Sequence, residues 1–324
     1  MKHLLRAMRP GQWTKNLLVF AGLIFAHRVF TISDGRLAIE WMPILRSLGA
    51  FVVFCLVSSA TYLLNDITDR RADQAHPAKR NRPIASGALP VGIAALVAAI
   101  FFATGLAGAA FLSWKLLAVT GGYLVLTIAY SLKLKHVVIL DVLTLALGFV
   151  LRAVAGAVTI NVPISVWLLI CTILLALFLV LTKRRAELTG NSGTLPSFPA
   201  GNGRQTTGDT EMGVASPISQ RSVLAHYSPQ LLDQMISVVT ASTVVSYAIY
   251  TAYAAGPAGL HTNNLVLTLP FVMYGIFRYL YLVYQKQGGA DPDKALYQDI
   301  PLLVDILLYL LVTGALIYFF RFEI

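Results

Sequence analysis

Four oxygen-bearing side chains stand close together in Asn65-Asp66-Ile67-Thr68-Asp69-Arg70-Arg71-Ala72-Asp73. On a helix advancing about 100° per residue, Asn65, Asp69, Asp73 and Asp66 fall at about 0°, 40°, 80° and 100°, on one narrow face. Three carboxylates crowded there repel one another unless a cation neutralises them. Mg2+ suits such a face, because it takes oxygen ligands, often only one or two of them carboxylates, and fills its shell with water and substrate phosphates. A solvated acidic helix end has the same spacing, so the residues that follow decide between the two readings. They are His76, Lys79, Arg80, Asn81 and Arg82, then Pro83. Carboxylates for a metal beside a cluster of cations describe a metal-bridged diphosphate site. Membrane-topology bias alone would account for Lys79.

A second set of polar residues sits in an apolar segment. Asp141 and Arg152 are eleven residues apart. They lie about 20° apart on a helical wheel and about 16 Å apart along the axis, with Gly148 on the same stripe. A charge that deep faces either a cavity or a structural partner that locks the bundle. Further on, Lys183-Arg184-Arg185-Ala186-Glu187 places three cations and one acid at the end of another apolar run.

The elements that hold these residues are membrane spans. The chain has 324 residues, of which 57% are hydrophobic and only 12% charged, and its apolar residues fall into long runs. Nine such segments are found, at roughly 15–32, 42–64, 90–112, 115–132, 137–160, 163–182, 232–255, 262–284 and 301–320. Lipid offers unpaired backbone groups no partner, so the spans are helices and the expected fold is all-α and polytopic. With the N-terminus placed in the cytoplasm, eighteen Lys and Arg fall on the inner side and five on the outer, with Arg152 and Arg278 inside spans. This asymmetry places the acidic motif at the cytoplasmic face, and the expected location is the plasma (inner) membrane.

The net charge of +10 comes without zinc-finger or RNA-binding spacing, so it reads as topology and phosphate binding rather than nucleic-acid binding. The basic-then-apolar start lacks a small-residue cleavage site and reads as an uncleaved first span. Cys55 and Cys171 lie in apolar runs and read as small hydrophobes. Residues 189–220 are rich in Gly, Ser, Thr and Pro and read as a flexible cytoplasmic loop within one membrane-embedded catalytic domain spanning residues 1–324.

Asn65-Asp66-x-x-Asp69-x-x-x-Asp73 after a second span, followed by Lys79-Arg80-x-Arg82-Pro83-Ile84, resembles the first signature of the UbiA-type intramembrane prenyltransferase superfamily. The resemblance covers essentially the whole chain. It implies a bundle of about nine transmembrane helices that binds a diphosphate substrate through Mg2+ on Asn65, Asp66, Asp69 and Asp73. Prenyl-transferring members carry a second aspartate-rich motif after the sixth span. Here Leu181-Thr182-Lys183-Arg184-Arg185-Ala186-Glu187-Leu188 stands in its place, and a cationic segment can hold phosphates directly.

Several further stretches resemble the polyprenyl-phosphate phosphoribosyltransferase branch, to which the decaprenyl-phosphate enzymes belong. They are Arg9-Pro10-x-Gln12-Trp13-x-Lys15-Asn16, Tyr130-Ser131-x-x-Leu134-Lys135 with Asp141, Leu151-Arg152-Ala153-x-Ala155-Gly156, and Lys183-Arg184-x-Ala186-Glu187-Leu188. That resemblance implies transfer of 5-phosphoribose from phosphoribosyl diphosphate to a polyprenyl phosphate drawn from the membrane lipid. Asp66, Asp69, Asp73 and Asp141 are the expected catalytic residues. Lys15, Asn65, Lys79, Arg80, Arg82, Tyr130, Lys135, Arg152, Lys183, Arg184 and Glu187 are the expected substrate-binding residues. Prenyl transfer from a prenyl diphosphate to an aromatic or other acceptor is the alternative enzyme. A transporter would not need the diphosphate motif.

Overall fold

The computed structural model describes residues 2–26, 28–33, 36–75, 79–190, 222–253, 263–285 and 298–318. It is a helical bundle. A short helix α1 (Lys2–Met8), a 3-10 segment (Pro10–Phe20) and α2 (Ala21–Phe25) precede a small antiparallel hairpin of β1 (Phe30–Ser33) and β2 (Arg36–Ile39), in which Phe30 pairs with Ile39. The long helices are α3 (Trp41–Thr68), α5 (Val91–Leu112), α6 (Trp114–Leu132), α7 (Leu140–Thr159), α8 (Val166–Gly190), α9 (Pro229–Tyr253), α10 (Leu269–Tyr284) and α11 (Ile300–Tyr318), with the short α4 (Arg70–Ala75) after α3.

Seven of these helices are long and apolar enough to cross a membrane, and an eighth apolar stretch, Ile300–Leu316, is shorter. They coincide with eight of the nine segments expected from hydropathy. The remaining one, 15–32, takes the form of the 3-10 segment, α2 and the start of the hairpin. Large apolar side chains such as Phe111, Trp114, Val125 and Leu311 stand on the outer surface, as lipid-facing residues do. The chain is an integral membrane protein. The expected loop 189–220 lies, apart from the last two residues of α8, outside the described residues, as does His76.

Close approach of the helices depends on small residues. α5 lays Ala94, Ala98, Gly105 and Ala109 against α3, a spacing that lets two backbones come together without a hydrophobic drive between them. A Cβ on Gly156 would stand 1.8 Å from the Val19 carbonyl oxygen, so only glycine lets the 3-10 segment lie on α7. Ser113 alone joins α5 to α6, and its hydroxyl caps α6 by accepting the Lys115 N–H at 3.2 Å.

The second half of the bundle is tied by ion pairs. Arg185 reaches Asp233 of α9 at 2.6 Å and lies over the Tyr284 ring of α10, and Arg278 makes a two-pronged contact with Asp299 at 2.9 and 2.8 Å.

Candidate active site

Two charged clusters meet at one end of the bundle. The first begins where α3 stops. The helix does not run on through Asp73. Asp69 caps α3, its N–H bonded to the Asn65 carbonyl, and α4 restarts at Arg70. The interruption is one residue long, Asp73 N–H still bonds the Asp69 carbonyl at 2.8 Å, and the four side chains take different partners. Asp66 and Asp73 are buried, and both point to Arg82, whose Nη1 donates to Asp66 Oδ1 at 3.2 Å and to Asp73 Oδ2 at 2.7 Å. Arg9 Nη2 donates to the same Asp66 oxygen at 2.5 Å. Asp69 turns instead to Lys135 at 3.0 Å, and Asn65 Oδ1 accepts the Ser131 hydroxyl at 2.5 Å.

The turns that aim these cations are built locally. Residue 82 sits in a tight run of turns closed by Arg82 N–H to Lys79 carbonyl (2.9 Å) and Leu89 N–H to Pro83 carbonyl (2.8 Å). Gly87 supplies the positive φ of 79° that the run needs. Ile84 and Leu89 are buried beneath it against α3 and α5. Arg9 has φ 54° and ψ 62°, a left-handed conformation. It precedes Pro10, whose ring disfavours the right-handed helical region for the residue before it. Lys79 is half-buried and Arg80 exposed on the same loop, and the Lys15 amine bonds the Gln12 side chain.

The second cluster is centred on Arg184 of α8. Its Nε donates to Asp141 Oδ2 at 3.1 Å, its Nη1 to Glu187 at 2.7 Å and its Nη2 to the Tyr130 hydroxyl at 3.4 Å. The other Asp141 oxygen accepts the Tyr227 hydroxyl at 2.8 Å, and that hydroxyl accepts the Ile139 N–H at 2.7 Å. Burial pushes the Tyr227 phenol up to about 12, with the charge and hydrogen bond of Asp141 adding to the rise. Of the three consecutive cations, Arg184 faces this cluster and Arg185 faces α9, while Lys183 is half-buried. The end of α6 and the turn after it form the strip between the clusters. Tyr130 reaches Arg184, Ser131 reaches Asn65 and Lys135 reaches Asp69.

Arg152 sits apart from both. Its donors go to the Asn16 side chain (2.8 Å), the Gly148 carbonyl (2.8 Å) and the Tyr123 hydroxyl (2.8 Å), and its guanidinium lies 4.9 Å from the centre of the Tyr123 ring. It locks α7 to α6 and to the N-terminal 3-10 segment.

Sequence reasoning left three participants out of the site. Arg9 and Ser131 lie inside the motifs above, but their partners Asp66 and Asn65 are 57 and 66 residues away. Tyr227 carries no local signal, because its partners Asp141 and Ile139 are 86 and 88 residues away in sequence.

Among the described residues, no three His, Cys, Asp or Glu side chains gather closely enough to hold a metal ion by themselves. Asp66 and Asp73 nevertheless converge on one nitrogen, an all-oxygen pair from two helices around a positive charge. That donor set fits Mg2+, which needs only one or two protein carboxylates when phosphate oxygens supply the rest.

Comparison with known proteins agrees with this fold. The model of the UbiA prenyltransferase family matches residues 17–300, and the chain belongs to that family. A decaprenyl-phosphate phosphoribosyltransferase of Mycobacterium tuberculosis is 40% identical over 184 residues, covering 56% of this chain; the chain spans 59% of that relative's length. A protein of the same name from Mycolicibacterium smegmatis is 30% identical over 98% of this chain and 92% of its own. Among solved structures, a UbiA homolog from Archaeoglobus fulgidus bound to GPP and Mg2+ superposes with a TM-score of 0.66 at 18% identity, covering 97% of this chain and 99% of that one.

Proposed function

We propose that this enzyme transfers 5-phosphoribose from phosphoribosyl diphosphate to a polyprenyl phosphate, with residues 1–324 forming one catalytic unit whose site faces the cytoplasm at the plasma membrane. The observation that carries the reading is the pairing of two unlike clusters. One is an acidic pair suited to a metal–diphosphate. The other is a cluster built on Arg184 where prenyl-transferring relatives hold a second acidic motif. The names of the mycobacterial relatives support the same donor and acceptor.

In this reading Asp66 and Asp73, with Asn65 and Asp69 beside them, would hold Mg2+. The ion, when bound, would offset the charge of the diphosphate. Arg9, Arg82 and Lys135 stand around those carboxylates and bind the diphosphate oxygens as charge gathers on them. Lys79 and Arg80 extend the same cationic rim, and Lys15 lies on the N-terminal segment that carries Arg9 into the site. Lys183 and Arg184, with Tyr130, hold the remaining phosphate, either that of the sugar or that of the lipid. Asp141 and Glu187 orient Arg184.

The bond from ribose C1 to the diphosphate oxygen breaks, and diphosphate leaves with the electron pair. An oxygen of the lipid phosphate forms the new bond to C1. That oxygen is already anionic, so the attack needs no strong base. Arg152, deep in the bundle, serves the reaction only by holding α7 in place.

The test is incubation of the purified, lipid-reconstituted protein with labelled phosphoribosyl diphosphate or labelled prenyl diphosphate, with polyprenyl phosphate as acceptor. Formation of a phosphoribosyl lipid with release of diphosphate is the expected outcome. Consumption of prenyl diphosphate with no use of phosphoribosyl diphosphate would assign ordinary prenyl transfer instead.

A further inference from the structure

Ile139 adopts φ 69° and ψ −45°. A β-branched residue at positive φ is sterically disfavoured, and such conformations persist only where the surroundings hold them, typically beside functional sites. Here the holder is identifiable. The Ile139 N–H precedes the first turn of α7 and has no intrahelical partner; the Tyr227 hydroxyl accepts it at 2.7 Å. A phenol has one proton, and with the backbone amide donating to its oxygen, that proton goes to Asp141 Oδ1 at 2.8 Å. The orientation of the Asp141 carboxylate is thereby set, with Oδ2 left facing Arg184 Nε. The strained residue also ends the short connection that begins with the turn Leu134–His136, which carries Lys135 to Asp69. Tyr227 itself is buried and follows a 3-10 turn, Ser222–His226, whose Val223 and Leu224 are buried as well.

We propose that Tyr227 is a positioning residue: through Asp141 it fixes the direction in which Arg184 is presented to an anionic substrate. The inference deepens the proposed function and rests on the reading that Arg184 binds a substrate phosphate. Partners that orient a binding group in this way change affinity when they are lost, even though they touch no ligand.

The experiment is a double-mutant cycle on the full chain in detergent micelles, with Tyr227→Phe, Arg184→Ala and the pair. Apparent KM is measured separately for phosphoribosyl diphosphate and for polyprenyl phosphate. Whichever KM rises in Arg184→Ala should rise in Tyr227→Phe by about tenfold, the loss of one hydrogen bond to a charged group. The double variant should be no worse than Arg184→Ala alone. Leu224→Ala is the control, since it loosens the same turn without removing the hydroxyl; it should lower the melting temperature and leave both KM values unchanged. The proposal falls if Tyr227→Phe leaves both KM values at the wild-type level, if the two effects multiply in the double variant, or if Leu224→Ala raises KM as much as Tyr227→Phe. Should Tyr227→Phe fail to fold, Asp141→Asn takes its place in the cycle under the same criteria. If wild type ignores phosphoribosyl diphosphate but turns over a prenyl diphosphate, the donor assignment fails on its own, and the cycle is read with the prenyl donor.

Discussion

The two charged clusters lie side by side, yet they are built in opposite ways. In the acidic cluster Asp66 and Asp73 are buried but their partners are not: the Asp66 side chain is 3% exposed, while Arg9 and Arg82 are 32% and 30% exposed. In the Arg184 cluster both sides of the pair are enclosed, with Arg184 3% exposed and Asp141 fully buried. Cations that reach water can swing from a carboxylate to an incoming phosphate at little cost. A guanidinium enclosed with its carboxylate cannot leave without stranding it. Under the proposed reaction this difference suits one region to exchange and the other to fixed presentation, although both contain the same residue types.

The sharpest break of this comparison is Arg184→Ala. It strands Asp141, which among the described residues keeps the Tyr227 hydroxyl, and removal of one partner from a buried pair costs about 3–5 kcal/mol. Thermal melts in detergent should show that loss for Arg184→Ala and a much smaller one for Arg82→Ala. Equal losses would mean that exposure does not separate the clusters. Arg184→Lys should not restore stability fully, because one ammonium cannot reach Asp141, Glu187 and Tyr130 together.

Next in size is the effect on activity of Asp66→Asn or Asp73→Asn. Each should lower kcat/KM by about a hundred- to a thousandfold, about 2.7–4 kcal/mol, with the protein still folded. Asp69→Asn should do less, because Asp69 is 40% exposed and paired with Lys135 rather than Arg82. A strong chelator should bring wild-type turnover to background, and undiminished turnover in its presence would remove Mg2+ from the proposed reaction.

The membrane bundle was legible because a bilayer imposes its length on every span, and eight of the nine expected segments became helices in place. The chemistry was legible only where sequence neighbours stay neighbours in space. Asp66 and Arg82 are sixteen residues apart and meet across one turn-rich loop. The quartet does not share one partner: Asp66 and Asp73 meet Arg82, while Asp69 turns to Lys135. That pairing spans 66 residues, and so does the one between Asn65 and Ser131. Tyr227 had no signal at all: its role exists only because the turn after the long loop folds back beneath α7. The depth of Arg152 was read from spacing alone, but spacing does not say whether a deep arginine meets a ligand or a carbonyl.

A smaller effect should follow from Lys183→Ala. Lys183 is half-buried beside the fixed Arg184, so its loss should raise the KM for an anionic substrate rather than unfold the protein. One charge-assisted contact is worth about 1.5–3 kcal/mol, roughly ten- to a hundredfold in KM. Lys183→Asp should be worse, since it adds repulsion. If Lys183→Asp instead improved use of a prenyl diphosphate, the segment would be behaving as a second metal site, and the contrast between the clusters would collapse.

The smallest effect should come from shortening the long connection between α8 and α9. Residues 191–220 are dominated by Gly, Ser, Thr and other polar residues, with no apolar face to bury. Replacing them with about ten Gly and Ser residues should leave turnover within about twofold. It should also raise stability by about 1 kcal/mol or less, because closing a loop one third as long costs less entropy. The boundary decides the outcome. Val223, Leu224 and Tyr227 are buried, and Tyr227 bonds Ile139 and Asp141. A deletion carried through Tyr227 should therefore lose activity where one ending at 220 does not. Loss of turnover in the shorter deletion, in correctly folded protein, would mean that residues 191–220 themselves bind substrate, and the exchangeable region would then extend beyond the acidic cluster.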